Sequence, residues 1–333
     1  MFDFFQQADK DDLILVAGGG GFIGGHMIAD LRRAGYRRLR AVDIKPVENW
    51  HLSFPDVDNQ VLDLREKPAC MEAAKDAAWI YNFACDMGGM GFIEFHKADC
   101  MLSVLINTHM LMAAREVGAK RMLYSSSACV YAADKQTDAD VTALKESDAY
   151  PAMAEDGYGW EKLFSERMCR HFYEDYGVDN RVVRFHNVYG PDGSWNDGRE
   201  KAPAAISRKV ALAKLTGDHS IEIWGDGLQT RSFMYIDDCL EGTKMMMASD
   251  VREPLNVGSD ELVTINGLVD MVESFAGIKL ERHYNLDAPK GVRGRNSDNT
   301  LIQEKLGWAP SIPLVEGMEK TYRWVYDQVK ASL

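Results

Sequence analysis

Leu13-Ile14-Leu15-Val16-Ala17 runs without interruption into four glycines, Gly18 to Gly21, after which Phe22, Ile23, Met27, Ile28 and Leu31 recur at helical spacing up to Ala34. That pattern reads as strand, tight turn and helix. Gly18, Gly21 and Gly24 stand at GxxGxxG spacing within it. At such a place the amides and dipole of a helix start can hold a pyrophosphate. The first glycine permits the tight turn, the second lets a phosphate approach the backbone, and Phe22 and Ile23 complete the binding turn. A second run, Leu39-Arg40-Ala41-Val42-Asp43, ends in an acid. This acid lies about twenty residues past the turn, where a carboxylate accepts hydrogen bonds from the ribose hydroxyls of a dinucleotide. Asp43 would repel a 2′-phosphate, so the turn favours NAD over NADP, an inference that the nearby Lys45 weakens. Asp63, in Leu62-Asp63-Leu64, is placed to receive the adenine amino group after a third strand.

Further strands are expected at Gln60 to Leu62, Trp79 to Phe83, Arg121 to Tyr124 and Arg181 to Arg184. Helices are expected at Ala98 to Val117 and Tyr158 to Tyr176, closed by Gly118 and Gly177 as helix C-termini often are. Strands alternating with helices at this interval describe a parallel sheet covered on both faces. From about Lys201 the rhythm changes. Helices at Ala202 to Leu215, Asp237 to Ala248 and Ile265 to Phe275 alternate with short strands near Ile221 to Trp224 and Ser232 to Tyr235. The reading is an N-terminal extension over 1–12, a dinucleotide-binding domain over 13–200 and a smaller lobe over 201–333, some of whose strands return to the first domain.

The chain of 333 residues carries 51 acidic against 38 basic side chains, a formal charge of −13. A field of that sign repels phosphate backbones and anionic bilayers, so neither a nucleic acid nor a membrane is expected as a partner. The apolar runs fall far short of the roughly 20 residues that span a bilayer. Met1 to Asp12 has acids and Gln where a secretory signal needs a basic and then an apolar segment. Six cysteines stand without CxxC pairs or neighbouring histidines, so no metal site and no disulfide framework is expected, and a reducing cytoplasm is the simplest compartment.

Tyr158 and Lys162 are four residues apart, one helical turn, and project from the same face. An ammonium beside a phenol is expected to lower its pKa from about 10, which lets Tyr158 act as base or acid on a sugar hydroxyl. Lys162 would also reach the nicotinamide ribose. The hydroxyls of Ser125-Ser126-Ser127 end the preceding strand and would share that cavity.

With these motifs the chain resembles the extended short-chain dehydrogenase/reductase family of nucleotide-sugar enzymes, and within it the GDP-mannose 3,5-epimerase branch. The resemblance is carried by Gly18 to Gly24, Asp63, Tyr158/Lys162, Arg184 to Pro191 and Leu306-Gly307-Trp308. Four more specific segments are Asp86 to Ile93, Gly198 to Ala205, Trp224 to Phe233 and Gly291 to Asn299. It implies an α/β fold: a Rossmann-type doubly wound parallel sheet with a smaller C-terminal α/β substrate-binding lobe. It also implies NAD as cofactor, a GDP-hexose as substrate and a homodimer.

The chemistry so implied has a reason. A sugar C–H is not acidic until carbon 4 is oxidised, after which the hydrogens on carbons 3 and 5 lie alpha to a ketone. A base and an acid on opposite faces can then invert those centres. The resemblance points to Cys129, two residues past Ser127, as the base, its thiol pKa lowered from about 8.5 by a neighbouring lysine. Lys201 is the matching acid. Arg231, Arg293 and Arg295 would supply guanidiniums for a diphosphate, the Arg293/Arg295 segment being firmer than either residue. Asn187 and Gln229 join the substrate set, with Gly88 and Gly89 in a glycine-flexible wall that the sugar approaches closely. His186 reads as structural, and the other five cysteines as small buried hydrophobes. A 4,6-dehydratase would want Asp-Glu at Ala128-Cys129, and a simple 4-epimerase leaves Cys129 unexplained. The non-enzyme alternative is a redox-silent nucleotide sensor, against which the intact Tyr158/Lys162 pair argues.

Overall fold

The computed structural model describes residues 2–333. A short helix, α1 (Phe4–Gln7), precedes β1 (Ile14–Ala17), α2 (Phe22–Arg33), β2 (Leu39–Asp43), β3 (Asp58–Val61), α3 (Lys67–Ala74) and β4 (Trp79–Asn82). There follow α4 (Met90–Phe95), α5 (Lys97–Val117), β5 (Arg121–Ser127), α6 (Tyr158–Tyr176) and β6 (Asn180–Phe185). Residues alternate across this sheet. Ile14, Val16, Tyr81, Leu123 and Val183 face one apolar core with Met27 and Leu31 of α2. Leu15, Ala17, Ile80, Met122 and Val182 face a second core with Cys70 of α3, Met110 and Leu111 of α5 and Cys169 of α6. A strand buried on both faces has no polar alternation to show, which is why Leu13 to Ala17 reads as one continuous apolar run.

Beyond β6 come β7 (Val188–Tyr189), α7 (Ala202–Thr216), β8 (Ser220–Trp224), β9 (Thr230–Ser232), β10 (Met234–Tyr235), α8 (Ile236–Ala248) and β11 (Leu255–Val257). The chain ends through β12 (Leu262–Thr264), α9 (Ile265–Ala276), β13 (Glu281–Asn285), β14 (Gly294–Arg295), α10 (Thr300–Leu306) and α11 (Leu314–Ser332). Strand β11 joins the main sheet, whose order is β11-β6-β5-β4-β1-β2-β3, all parallel. The order reverses between β1 and β4, and at such a switch point the loops leaving the carboxyl ends part to form a crevice. Residues after 201 thus supply both the far edge of this sheet and a separate group of short strands, β12-β9-β14 and β13-β8, against which α7 and α9 pack, with α11 packed on those two helices.

Two strand expectations are corrected. Ser232 to Tyr235 is not one strand: β9 lies between β12 and β14, β10 pairs with β7, and the buried Phe233 is where the chain passes between the two sheets. The strand expected at Gln60 to Leu62 is Asp58–Val61, an edge strand paired only with β2 and too exposed to show an apolar pattern. Gly118 and Gly177 do end α5 and α6, at φ of 65° and 70°. Among the described residues no helix is long and apolar enough to cross a membrane.

Candidate active site

A cavity of about 1040 Å³ opens at the carboxyl ends of the central strands. Its floor is the glycine turn. Gly18 has φ +81°, and a Cβ there would come within 2.9 Å of the Ala84 amide nitrogen. A Cβ on Gly24 would fall 2.1 Å from the Gly18 carbonyl oxygen, so α2 can start this close to β1 only without side chains at both positions. Gly21 caps α2 and has no side chain with which to bond its amides. Gly21, Phe22, Ile23 and Gly24 line the cavity, and the donors of the first helical turn are what a pyrophosphate needs. Asp43 lines it too and accepts from the Lys45 amide through one oxygen at 3.1 Å, leaving the other for ribose hydroxyls. The Lys45 ammonium bonds the Gly20 carbonyl at 2.7 Å instead of waiting beside Asp43 for a phosphate. Asp63 lines the cavity with its carboxylate held by Arg65 at 2.6 Å. These residues fit a dinucleotide whose adenosine ribose bears free hydroxyls.

The reactive side chains come from two elements held in unusually close approach. After β5 the chain makes one tight turn over Ala128–Val130, fixed by the Cys129 amide donating to Ser127 Oγ at 3.2 Å. Helix α6 starts against that turn: Gly157, at φ +71°, precedes it, and Gly159 leaves room for the Cys129 carbonyl. Tyr158, Ser127 and Cys129 therefore line one wall of the cavity. Lys162 lies beneath them, fully buried, donating to the Ser125 carbonyl at 3.0 Å with its ammonium 5.5 Å from the Tyr158 ring centre.

The expected lowering of the Tyr158 phenol is not found. Burial pushes it well above 10, with Cys85, Cys129 and Glu161 acting the same way and only the Ser127 hydroxyl opposing. A phenol taken out of water loses more anion solvation than a neighbouring ammonium paired with its own carbonyl returns. The Cys129 thiol is likewise pushed up, to about 11, by burial and then by Glu155, against Arg295 and Ser127. Its contacting cation is not a lysine: Arg295 Nη1 donates to Sγ at 3.5 Å. Lys201 caps α7 and lines the same cavity, and burial holds its ammonium below the ordinary lysine range although Cys129, Cys85 and Cys239 act to raise it.

Gly88 and Gly89 line the cavity, but contact with protein explains them as well. A Cβ on Gly88 would meet Phe92 at 2.7 Å and Arg199 Cα at 3.2 Å, and one on Gly89 would meet the Glu200 carbonyl oxygen at 2.5 Å. The loop before α4 is pressed on the segment that carries Lys201, with Gly89 N bonded to Arg199 O at 2.9 Å. Asn187, at φ +43°, bonds the Ser232 carbonyl at 3.0 Å, and Gln229 bonds the Trp224 carbonyl at 2.7 Å, both at the cavity edge.

The three arginines separate. Arg293 is outside the cavity lining, its Nη1 donating to both carboxylate oxygens of Asp226 at 2.8 and 2.9 Å. Arg295 is buried in the wall, shared among Gln136, Cys129 and Glu155. Arg231 lines the cavity and, among the described residues, has no carboxylate partner and bonds only the carbonyls of Thr230, Lys290 and Val292. Burial and the nearby Arg295 bring it down to about 10. A cation desolvated by roughly several kcal/mol and lacking a counter-ion is a place for an anion.

Sequence reasoning missed Lys209, Lys290 and Trp224, which line the same end. Lys209 lies eight residues past Lys201, on α7. Cys85 was grouped with the buried cysteines but lines the cavity, with Lys162 close enough to act on its thiol. His186 is structural: buried, bonded to Asn256 at 2.9 Å and pushed down to about 3 by burial.

Residues 14–258 match the family model described as the NAD dependent epimerase/dehydratase family. The chain belongs to that family. It is 46% identical to GDP-mannose 3,5-epimerase 1 of Oryza sativa subsp. indica, over 95% of this chain and 82% of the rice protein. Among solved structures it is similar to the UDP-glucose 4-epimerase of Thermotoga maritima with UDP-glucose, with a TM-score of 0.84 at 23% identity over 95% and 99% of the two chains, a likeness of fold alone. It is also similar to MoeE5 in complex with UDP-glucose and NAD, with a TM-score of 0.79 at 26% identity over 95% and 99% of the chains.

Proposed function

We propose that this family member inverts carbons 3 and 5 of GDP-mannose, toward GDP-L-galactose or GDP-L-gulose, through a transient 4-keto sugar. One observation carries the reading. Cys129 and Lys201 line the one cavity that also holds Tyr158 and the glycine turn, and the rice relative at 46% identity bears the name of that reaction.

Gly18, Gly21 to Gly24, Asp43, Asp63 and Lys162 would hold the cofactor. NAD, when bound, supplies reversible hydride acceptance at carbon 4. Tyr158, in its ionised form and with Ser127 beside it, takes the proton from the carbon-4 hydroxyl and returns it at the end. Cys129 as thiolate removes the proton alpha to the ketone, and Lys201, held below the ordinary lysine range, delivers one to the opposite face of the sugar. Arg231 takes the diphosphate, with Lys209 and Lys290 adding charge to that end. A homodimer is part of the same reading. Met101, Leu102 and Leu105 of α5 and Trp160 and Phe164 of α6 form an exposed apolar face on two packed helices, the kind of surface a two-fold contact covers.

The test is incubation with GDP-mannose in deuterium oxide, followed by NMR of the sugar. Deuterium at carbons 3 and 5 with inversion supports the reading. Conversion at carbon 4 alone, or loss of water from carbon 6, would replace it with the 4-epimerase or the 4,6-dehydratase reading.

A further inference from the structure

Arg295 is 4% exposed and spends its guanidinium on three partners. Nε donates to Gln136 Oε1 at 2.6 Å, Nη1 to the Cys129 sulfur at 3.5 Å, and Nη2 to Glu155 Oε1. The second carboxylate oxygen, Glu155 Oε2, is buried and has no hydrogen-bond partner among the described residues. The backbone fixes this arrangement, since the Glu155 amide donates to the Cys129 carbonyl at 3.0 Å. A buried carboxylate and a thiol therefore share one cation, and the carboxylate has an oxygen to spare.

We propose that Glu155 sets the protonation state of Cys129 by competing with its sulfur for the Arg295 guanidinium. While Glu155 is ionised, its charge already neutralises Arg295. A thiolate beside it would be a second anion on one buried cation, so the proton stays on sulfur. The other groups facing the thiol are Ser127 on its own turn, Tyr158 and Lys162 of α6, Lys201 at the start of α7 and Arg231 of β9. Among these groups Glu155 is the carboxylate. The groups facing Glu155 are Cys129, Arg295 and Arg231. Glu155 acts through Cys129 and is a positioning residue. Its consequence for turnover rests on the reading of Cys129 as the base.

The experiment compares Glu155→Gln with the unaltered protein by alkylation with iodoacetamide, an uncharged probe, between pH 6.5 and 9.5. Labelling at Cys129 and Cys85 is read separately by peptide mass spectrometry. Glu155→Gln frees the guanidinium to stabilise the thiolate, so Cys129 is expected to react at least about tenfold faster at pH 7.5, as a fall of one pKa unit requires. Cys85 lies in the same cavity but faces Lys162, Glu161 and Asp86. It should react at an unchanged rate, whereas general loosening would accelerate both thiols. Glu155→Asp keeps the charge and should leave Cys129 slow. Should Glu155→Gln fail to fold, Arg295→Gln supplies the opposite sign: without the cation, Cys129 alkylation slows. An unchanged Cys129 rate in Glu155→Gln, or equal acceleration of both thiols, overturns the proposal. The acid limb of the epimerisation profile should move to lower pH with the thiol. A shifted thiol with an unmoved limb upholds the hold of Glu155 on Cys129 and removes Cys129 as the base.

Discussion

The carbonyl oxygen of Cys129 lies where a Cβ on Gly159 would come to 2.2 Å. The start of α6 and the turn after β5 are thus in contact through backbone, and this contact places Tyr158 and Cys129 on the same wall. Gly159→Ala cannot be relieved by rotating a side chain, so helix and turn must part. The expected cost is about 1–3 kcal/mol, as for other overpacked sites, seen as a lower midpoint of urea unfolding. Turnover on GDP-mannose should fall more steeply than this loss of stability explains at a temperature where the variant is fully folded. A variant as active as the unaltered protein would show that the contact does not position the pair.

Tyr158→Phe removes one hydroxyl and little volume from a buried ring. Deuterium exchange at carbons 3 and 5 should fall by roughly 10² to 10⁴, the range that a positioned acid or base contributes. The dissociation constant for GDP-mannose, measured by calorimetry, should stay within about threefold, because on the proposed reading Arg231 and not the phenol holds the diphosphate. Undiminished exchange would take Tyr158 out of the step that makes the ketone.

Much of this site was legible because it rests on local rules. The glycine turn, Asp43 and the Tyr158/Lys162 pair sit at spacings set by one turn, one strand and one helical repeat. What was not legible depends on distant packing. Nothing near Glu155 in the chain marks it as the partner of Arg295, because the two meet only when β14 is laid beside β9. The phenol's pKa was misjudged in direction for a related reason. Spacing shows that an ammonium is near, but not that both groups are shut away from water. Arg293 lies just before β14 and pairs with Asp226, whereas Arg295 lies within it and donates to Cys129. The sequence segment could be chosen; the residue within it needed the fold.

Phe164, 54% exposed on α6, lies on the apolar face shared with Leu105 of α5. If a second copy covers that face, Phe164→Glu places a charge in the contact and should yield a monomer by sedimentation at micromolar concentration, with the unfolding midpoint of each chain little changed. A monomeric mass for the unaltered protein would dispose of the dimer.

Lys201 gives the prediction with a sign that can be worked out from the site. A lysine acid works while protonated, and burial brings its pKa below the usual 10.5. The Lys201 acid is therefore fully present on the acid side of that lowered value and is lost as pH rises through it, so its contribution falls below 10.5, while the need for a Cys129 thiolate slows epimerisation at low pH. Lys201→Arg keeps the charge but holds its proton too tightly to give it up. Formation of the ketone should persist in that variant, while inversion falls by roughly 10² or more and deuterium returns mainly to the original face. Cys129→Ser makes the complementary case: an alcohol is a far weaker acid than a thiol, so the ketone forms but exchange itself is lost. If Lys201→Arg inverts carbons 3 and 5 at the unaltered rate, the proton comes from elsewhere and the lysine serves only to neutralise the cavity.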